Sequence, residues 1–259
     1  MHDVVAMIPV LLGSKRVPDK NIILVDGKVL CSYTIDACKA SRAFKSIYLN
    51  SEDDIFKSIA EKEGILFHTR PQEWGGRACR QSTKSRNCAG KRCVINEHYL
   101  YNFMTSGTQA EYVCQVNATS PLLKPETIKA FVDTLVEGKY DSLFATQEIR
   151  AESFFQGTPI SFSLQYKCPS NEIEPISTIC WAIAGWRCEA FIKAYDRDDP
   201  DENGPAYVGK LGLFPIDERE ALDIDEWSTL EVVEQFLIKR RSNTARAWNY
   251  IDGRTVERM

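Results

Sequence analysis

The stretch ALDIDEWSTLE, residues 221–231, sets two carboxylates two positions apart. In an extended backbone Asp223 and Asp225 project from one face, with Leu222 and Ile224 on the other. Two carboxylates on one face repel each other unless something positive lies between them. A hard divalent cation such as Mg²⁺ suits them, with water and substrate phosphates completing its octahedron. Two acids ahead of a helix are also explained by the helix dipole. Near the other end of the chain, LLGSKRVPDKN, residues 11–21, gathers Lys15, Arg16 and Lys20 around one glycine. Gly13 permits close approach of the backbone to an anion, and Lys15 can meet phosphate as a mobile point charge. A triphosphate accounts for this charge, and so does a solvated basic loop. The glycine spacing of a Walker A loop is absent.

These groups need elements to hold them. Residues 4–12, VVAMIPVLL, read as a strand buried on both faces, as a parallel sheet requires. Leu30, Tyr33, Thr34, Ala37 and Cys38 then recur at helical spacing, and SIYLN is a second strand. SEDDIFKSIAEKEG predicts a helix with Ser51 as its N-cap and Gly64 at its end. ILFHT is a third strand, VINEHYLYNFM a helix, EYVCQVNA a fourth strand, KPETIKAFVDTLVEG a helix with Pro125 near its start and Gly138 after its end, and DSLFAT a fifth strand. This rhythm predicts a mostly parallel α/β sheet covered by helices, with ligands beyond the carboxyl ends of its strands. Between about residues 148 and 180 the rhythm breaks. ISFSLQYK and ISTICWAIAG read as strands of a β-rich excursion from the sheet. AYVGKLGLFPI is a further strand, and Ser228-x-x-Glu231 reads as a capping box opening a helix with an apolar face of Leu230, Val233, Phe236 and Leu237.

Bulk properties narrow the function classes. The 259 residues are 44% hydrophobic and 26% charged, the mix of a soluble globular protein. We expect one domain spanning residues 1–259. A net charge of −4 gives no global attraction to nucleic acid, so an anion site must be local. No apolar run approaches the roughly 20 residues of a membrane span. The opening MHDVVAMIPV has no basic segment before its apolar stretch, so no secretory signal is read and the cytoplasm is expected. The nine scattered cysteines read as buried reduced thiols.

Four segments, taken in order, resemble the cytidylyltransferases that activate acidic sugars, the acylneuraminate (CMP-sialic acid) synthetases and their CMP-Kdo relatives. IPVLLGSKRVPDKNI resembles the family's opening phosphate loop, HTRPQEW its R-P-x-E-L element, QVNATSPLLKPETI its Q-P-T-S-P-L segment and ALDIDEWSTLE its S-I-D-I-D motif. The resemblance implies a three-layer Rossmann-like nucleotidyltransferase fold with a small β-rich dimerisation arm near residues 148–180, and a homodimer. It implies CTP phosphates held by Lys15 with the Gly13-Ser14 backbone, in a loop that includes Leu11 and Arg16. It implies Lys20 and Asn21 closing that site, Arg70 at the nucleotide and substrate, Asn117 near the sugar acid, and Asp223 and Asp225 on Mg²⁺. Lys15, Lys20, Asp223 and Asp225 would carry the chemistry, in which an acceptor hydroxyl attacks the α-phosphate of CTP and pyrophosphate leaves.

The chain also departs from that pattern. Leu11 stands where the family has an arginine, and Glu174 stands near another expected arginine. After Trp74 come Arg77, Arg80, Lys84, Arg86, Lys91 and Arg92 without an acid among them. This run, Arg77 and Arg80 first, either replaces lost phosphate contacts and holds the acceptor or is a solvated loop. Cys79, Cys88, Cys93 and His98 lack the C-x-x-C knuckle of a zinc site. His68 and His98 take no catalytic role, and Trp181 and Trp186 read as core. The leading reading is a Mg²⁺-dependent cytidylyltransferase acting on a sialic-acid-like 2-keto acid. The alternatives are another anionic acceptor such as a phosphonate, or a nucleotide-binding protein that has lost catalysis.

Overall fold

The computed structural model describes residues 2–72, 95–197, 203–242, 247–249 and 255–257. Seven strands form its central sheet: β1 (Val4–Pro9), β2 (Ser46–Ser51), β3 (Leu66–Thr69), β4 (Tyr112–Val116), β5 (Ser142–Ile149), β6 (Ile176–Arg187) and β7 (Leu211–Pro215). Their spatial order is β7-β5-β6-β4-β1-β2-β3. All neighbouring pairs are parallel except those made by β6, which lies antiparallel between β4 and β5.

The alternation within β1 shows why the chain layers as it does. Val4, Ala6 and Ile8 pack on one face with Ile35, Phe56 and Phe131, from helices α1 (Leu30–Ser41), α2 (Asp54–Glu63) and α4 (Pro125–Glu137). Val5 and Met7 pack on the other face with Leu100 and Phe191, from α3 (Ile95–Asn102) and α5 (Cys188–Arg197). Helix, sheet and helix make the expected three layers. A third apolar cluster sits apart from both faces. It joins Val17 from the first loop, Val25, Leu30, Leu122 and Ile224 to Leu230, Val233 and Leu237 of α6 (Trp227–Ser242).

Several local expectations are corrected. β1 closes at Pro9 rather than running to Leu12, and the Leu12 N–H donates to Asp53 Oδ2 at 3.2 Å instead of to a strand. Ser51 does not cap α2. It is still paired with Thr69 in the sheet, so the helix cannot start there, and Asp53 takes the N-cap position. Residues 228 and 231 do not form a capping box, because α6 starts at Trp227 and the Leu230 N–H bonds the Glu226 carbonyl at 3.1 Å. Residues 176–180 belong to the central sheet as the start of β6, and not to an excursion. Residues 160–167 form no strand: no strand among the described residues pairs with them, and the Ile160 N–H turns back to Ser153 O at 3.0 Å. What leaves the sheet is residues 150–175, built on a short hairpin of Phe154–Phe155 with Thr158–Pro159. Trp186 is fully buried, whereas Trp181 sits at φ 59° where the β5–β6 register shifts.

Gly64 ends α2 in the left-handed conformation, φ 65°, and a Cβ there would touch nothing within 4 Å. Gly64→Ala is therefore expected to cost about 1 kcal/mol through backbone conformation alone, read as a lowered urea midpoint with an unchanged m-value.

Candidate functional site

The carboxyl end of β1 releases the chain into the charged loop, and the loop is fixed at its middle by apolar packing. Val17 is fully buried against the α6 cluster, while Lys15 and Arg16 before it are exposed. The same cluster buries Ile224, the residue between the two aspartates. One apolar contact surface thus sets the loop and the aspartates side by side. Asp223 and Asp225, on either side of buried Ile224, are each half-buried.

Lys20 closes the join. Its Nζ donates to the Ile224 carbonyl and to Asp225 Oδ1, each at 2.7 Å. Arg16 Nη2 reaches the other oxygen, Asp225 Oδ2, at 2.5 Å. Burial opposes ionisation of Asp225, but the hydrogen bond and charge of Lys20 and the charge of Arg16 outweigh it and hold its pKa below the ordinary value. Asp223 is the opposite case. Burial pushes its pKa above the ordinary carboxylate value, a Thr119 hydrogen bond offsets part of this, and the charge of Asp225 adds to it. Asp223 Oδ1 is buried with no hydrogen-bond partner among the described residues. Buried acceptors are almost always paired in native proteins, so an orphaned one at a cluster of charges marks a place for a ligand group.

Asn21, in the 3₁₀ turn Lys20–Ile22, repeats the pattern. Its Nδ2 donates to the Leu11 carbonyl at 3.0 Å, and its Oδ1 is buried without a partner. Gly13 adopts φ 79°, and its N–H donates to Asp19 Oδ1 at 2.6 Å. Ser14 is half-buried beside it. Lys15 makes no ion pair among the described residues. It projects into solvent on the loop, free to meet an anion.

Arg70 follows β3 and is almost completely buried. Its Nη2 donates to Val10 O at 2.8 Å, its Nε to Glu52 Oε2 at 3.0 Å, and its guanidinium lies over the Tyr99 ring at 5.2 Å. The Tyr99 hydroxyl donates to Gln115, whose Nε2 donates to Asn117 Oδ1 at 2.9 Å. A polar chain therefore runs from Arg70 to Asn117 across the ends of β1 and β4. The Ile224 N–H donates to Thr119 O at 2.8 Å, which ties this chain to the aspartates.

Lys20, Arg16 and Asp225 are thus brought into contact, with Asp223 beside them. Arg70 and Asn117 lie in the neighbouring polar chain, each already bonded within the protein. Glu174 is exposed in the segment before β6. Arg77 and Arg80, with the rest of the basic run and Cys79, Cys88 and Cys93, lie outside the described residues. His68 bonds Asn50 and Ser106, and His98 bonds the Tyr195 hydroxyl. Reading the sequence missed Glu52, Asp53, Asp19, Gln115 and Thr119. Each lies within a segment quoted above, but nothing in their spacing tells which group each one holds.

Comparison with known proteins follows this geometry. The family described as cytidylyltransferase matches residues 5–161, more than half of the chain. Post-translational flagellin modification protein B of Campylobacter coli is 25% identical over 251 residues, covering 95% of this chain and 99% of that protein. A pseudaminic acid cytidylyltransferase of Campylobacter jejuni is 29% identical over 144 residues, covering 55% of this chain and 57% of its own length. The solved structure of a CMP:2-keto-3-deoxy-manno-octonic acid synthetase complexed with CTP has the same fold, with a TM-score of 0.63 at 13% identity over 92% of this chain and 99% of that one.

The raised pKa of Asp223 predicts a pH signature. The folded state holds its proton more tightly than the unfolded chain, so stability falls as pH rises from the ordinary aspartate value through the raised one, and stays low above it. Asp223→Asn is expected to raise the melting temperature at neutral pH in metal-free buffer, and the gain should shrink as pH is lowered through that window. Calorimetric melts at a series of pH values check this, and a less stable variant at neutral pH would contradict it.

Proposed function

The chain belongs to the cytidylyltransferase family, and we propose that it transfers CMP from CTP to a hydroxyl of a sialic-acid-like 2-keto sugar acid, with release of pyrophosphate. The observation that carries this reading is the Lys20 bridge, which joins a cationic loop to an acidic pair at the carboxyl end of β1. The acceptor class is supported by the relative named for pseudaminic acid.

In this reading the loop amides and Lys15 bind the triphosphate, and Asn21 Oδ1 accepts a hydrogen bond from the nucleoside. Arg16 and Lys20 stand where negative charge grows on the phosphates as the P–O bond to pyrophosphate breaks. Asn117, with the polar chain to Arg70 behind it, orients the sugar acid so that its hydroxyl meets the α-phosphate in line. The protein contributes position and electrostatics and needs no covalent nucleophile. Asp223 and Asp225 are a fitting pair for Mg²⁺: one has an orphaned buried oxygen, and two carboxylates leave most of an octahedron to water and phosphate oxygens. When bound there, Mg²⁺ would neutralise phosphate charge and polarise the α-phosphate. The reaction is assigned to the cytoplasm, where thiols such as the buried Cys31, Cys38, Cys114 and Cys188 stay reduced.

A second reading keeps the nucleotide chemistry and changes the acceptor to another anion, such as a phosphonate. It is favoured by Leu11 and Glu174, an apolar and an acidic side chain at positions where a sugar carboxylate and triphosphate call for cations.

Pyrophosphate release measured with four nucleoside triphosphates and a panel of 2-keto sugar acids and phosphonates tests both readings. Turnover is expected with CTP and a sugar acid. Lys15→Ala should weaken CTP binding about 10-fold while leaving cytidine unchanged. Asp225→Ala should lower turnover on the order of 100-fold. Release with no acceptor on the panel would overturn the transferase reading.

We also infer a homodimer through residues 150–175. Phe155, Leu164 and Tyr166 there are 64%, 73% and 66% exposed, a concentration of apolar surface typical of an interface. Sedimentation at micromolar concentration should give a dimer, and Leu164→Asp with Phe155→Asp should give a folded monomer.

A further inference from the structure

The phosphate loop carries its own anions. Two successive amides after β1 point at carboxylates: Leu12 N–H at Asp53 Oδ2, 3.2 Å away, and Gly13 N–H at Asp19 Oδ1, 2.6 Å away. A carboxylate oxygen and a phosphate oxygen ask the same of a backbone amide, namely one donated hydrogen bond to a negative charge. The two acids are held differently. Asp53 sits at the N-cap position of α2, between that helix and the sheet, and its own N–H is bonded to Ser51 Oγ at 3.2 Å. Asp19 is exposed, sits on the loop itself, and adopts the left-handed conformation at φ 48°. Aspartate tolerates that backbone better than most residues, because its short polar side chain can bond locally. Val17 pins the loop on one side of Asp19, and Lys20 pins it on the other. The Asp19 side chain is therefore the part that can swing aside while the loop stays in place.

Resting on the proposed role of this loop in holding phosphates, we propose that Asp19 is a built-in competitor for the nucleotide. Its carboxylate holds Gly13 N–H, yields it to a phosphate oxygen when CTP binds, and retakes it as pyrophosphate leaves. No bond is made or broken by Asp19; it exchanges one hydrogen bond. The same loop carries Lys15, exposed, and Arg16 and Lys20, both paired with Asp225, and the displaced carboxylate returns to solvent. The consequence is a triphosphate site that binds less tightly than its cations alone would allow, and one that does not trap its pyrophosphate product.

Calorimetric titration of tripolyphosphate, pyrophosphate and cytidine into the wild type, Asp19→Asn and Asp19→Ser tests this. Asn and Ser keep a neutral oxygen able to accept from the Gly13 amide, so the loop turn is retained while the competing charge is lost. The expected result is about 5-fold tighter binding of both phosphates in each variant, with cytidine affinity unchanged. In turnover, inhibition by pyrophosphate should strengthen by a similar factor. Weaker or unchanged phosphate binding, with cytidine still bound, would overturn the inference and leave Asp19 as a residue that shapes the turn. Wild-type protein that binds cytidine but neither phosphate would overturn the reading on which the inference rests.

Discussion

The ammonium of Lys20 holds together parts of the chain that are some two hundred residues apart. Its bonds to the Ile224 carbonyl and Asp225 Oδ1 tie the first loop to the segment that precedes the last long helix. Beneath it, Val17 and Ile224 share one apolar cluster, so the polar bridge rests on a dry support. Remove the apolar contact and the bridge has no fixed geometry. Remove the bridge and Asp225 would lose a partner that offsets its burial. The rest of the site depends on this join, because it decides which carboxylates face which cations.

Charge is handled in two ways around the join. Arg70 and Glu52 are both nearly inaccessible and satisfy each other, with Val10 O taking a further guanidinium hydrogen. This pair is closed, and it serves as a rigid wall from which Tyr99, Gln115 and Asn117 extend. Asp223 and Asn21 are left open, each with a buried acceptor that no group among the described residues meets. A fold of marginal stability tolerates such groups where binding later satisfies them. Closed and open polar groups thus stand close together around the join.

The antiparallel β6 gives the sheet its particular outline. By entering between β4 and β5 it brings Ala182 O to the Asn117 N–H at 3.0 Å, fixing the residue that leaves β4 toward the site. The same long strand starts next to residues 150–175, so the exposed segment is anchored directly on the central sheet.

Local pattern alone determined a good deal about this protein. Unbroken apolar runs and 3.6-residue periodicity are short-range signals, and they led to the mostly parallel α/β sheet and to the helices, while a glycine marked the end of α2 at Gly64. The glycine and cations after β1 and the alternation in Leu222-Asp223-Ile224-Asp225 likewise singled out Lys15, Asp223 and Asp225 before any coordinates, and the resemblance to the cytidylyltransferases added Lys20. Only the tertiary structure decided that β6 runs antiparallel inside the sheet, that Ser51 stays in a strand, that Glu52 is the counter-ion of Arg70, and that Asp19 sits on Gly13. Strand direction depends on which neighbours compete for the same edge. An ion pair depends on distances across the fold. Neither leaves a trace in residue spacing, because the groups that meet are chosen by packing after the chain has closed on itself.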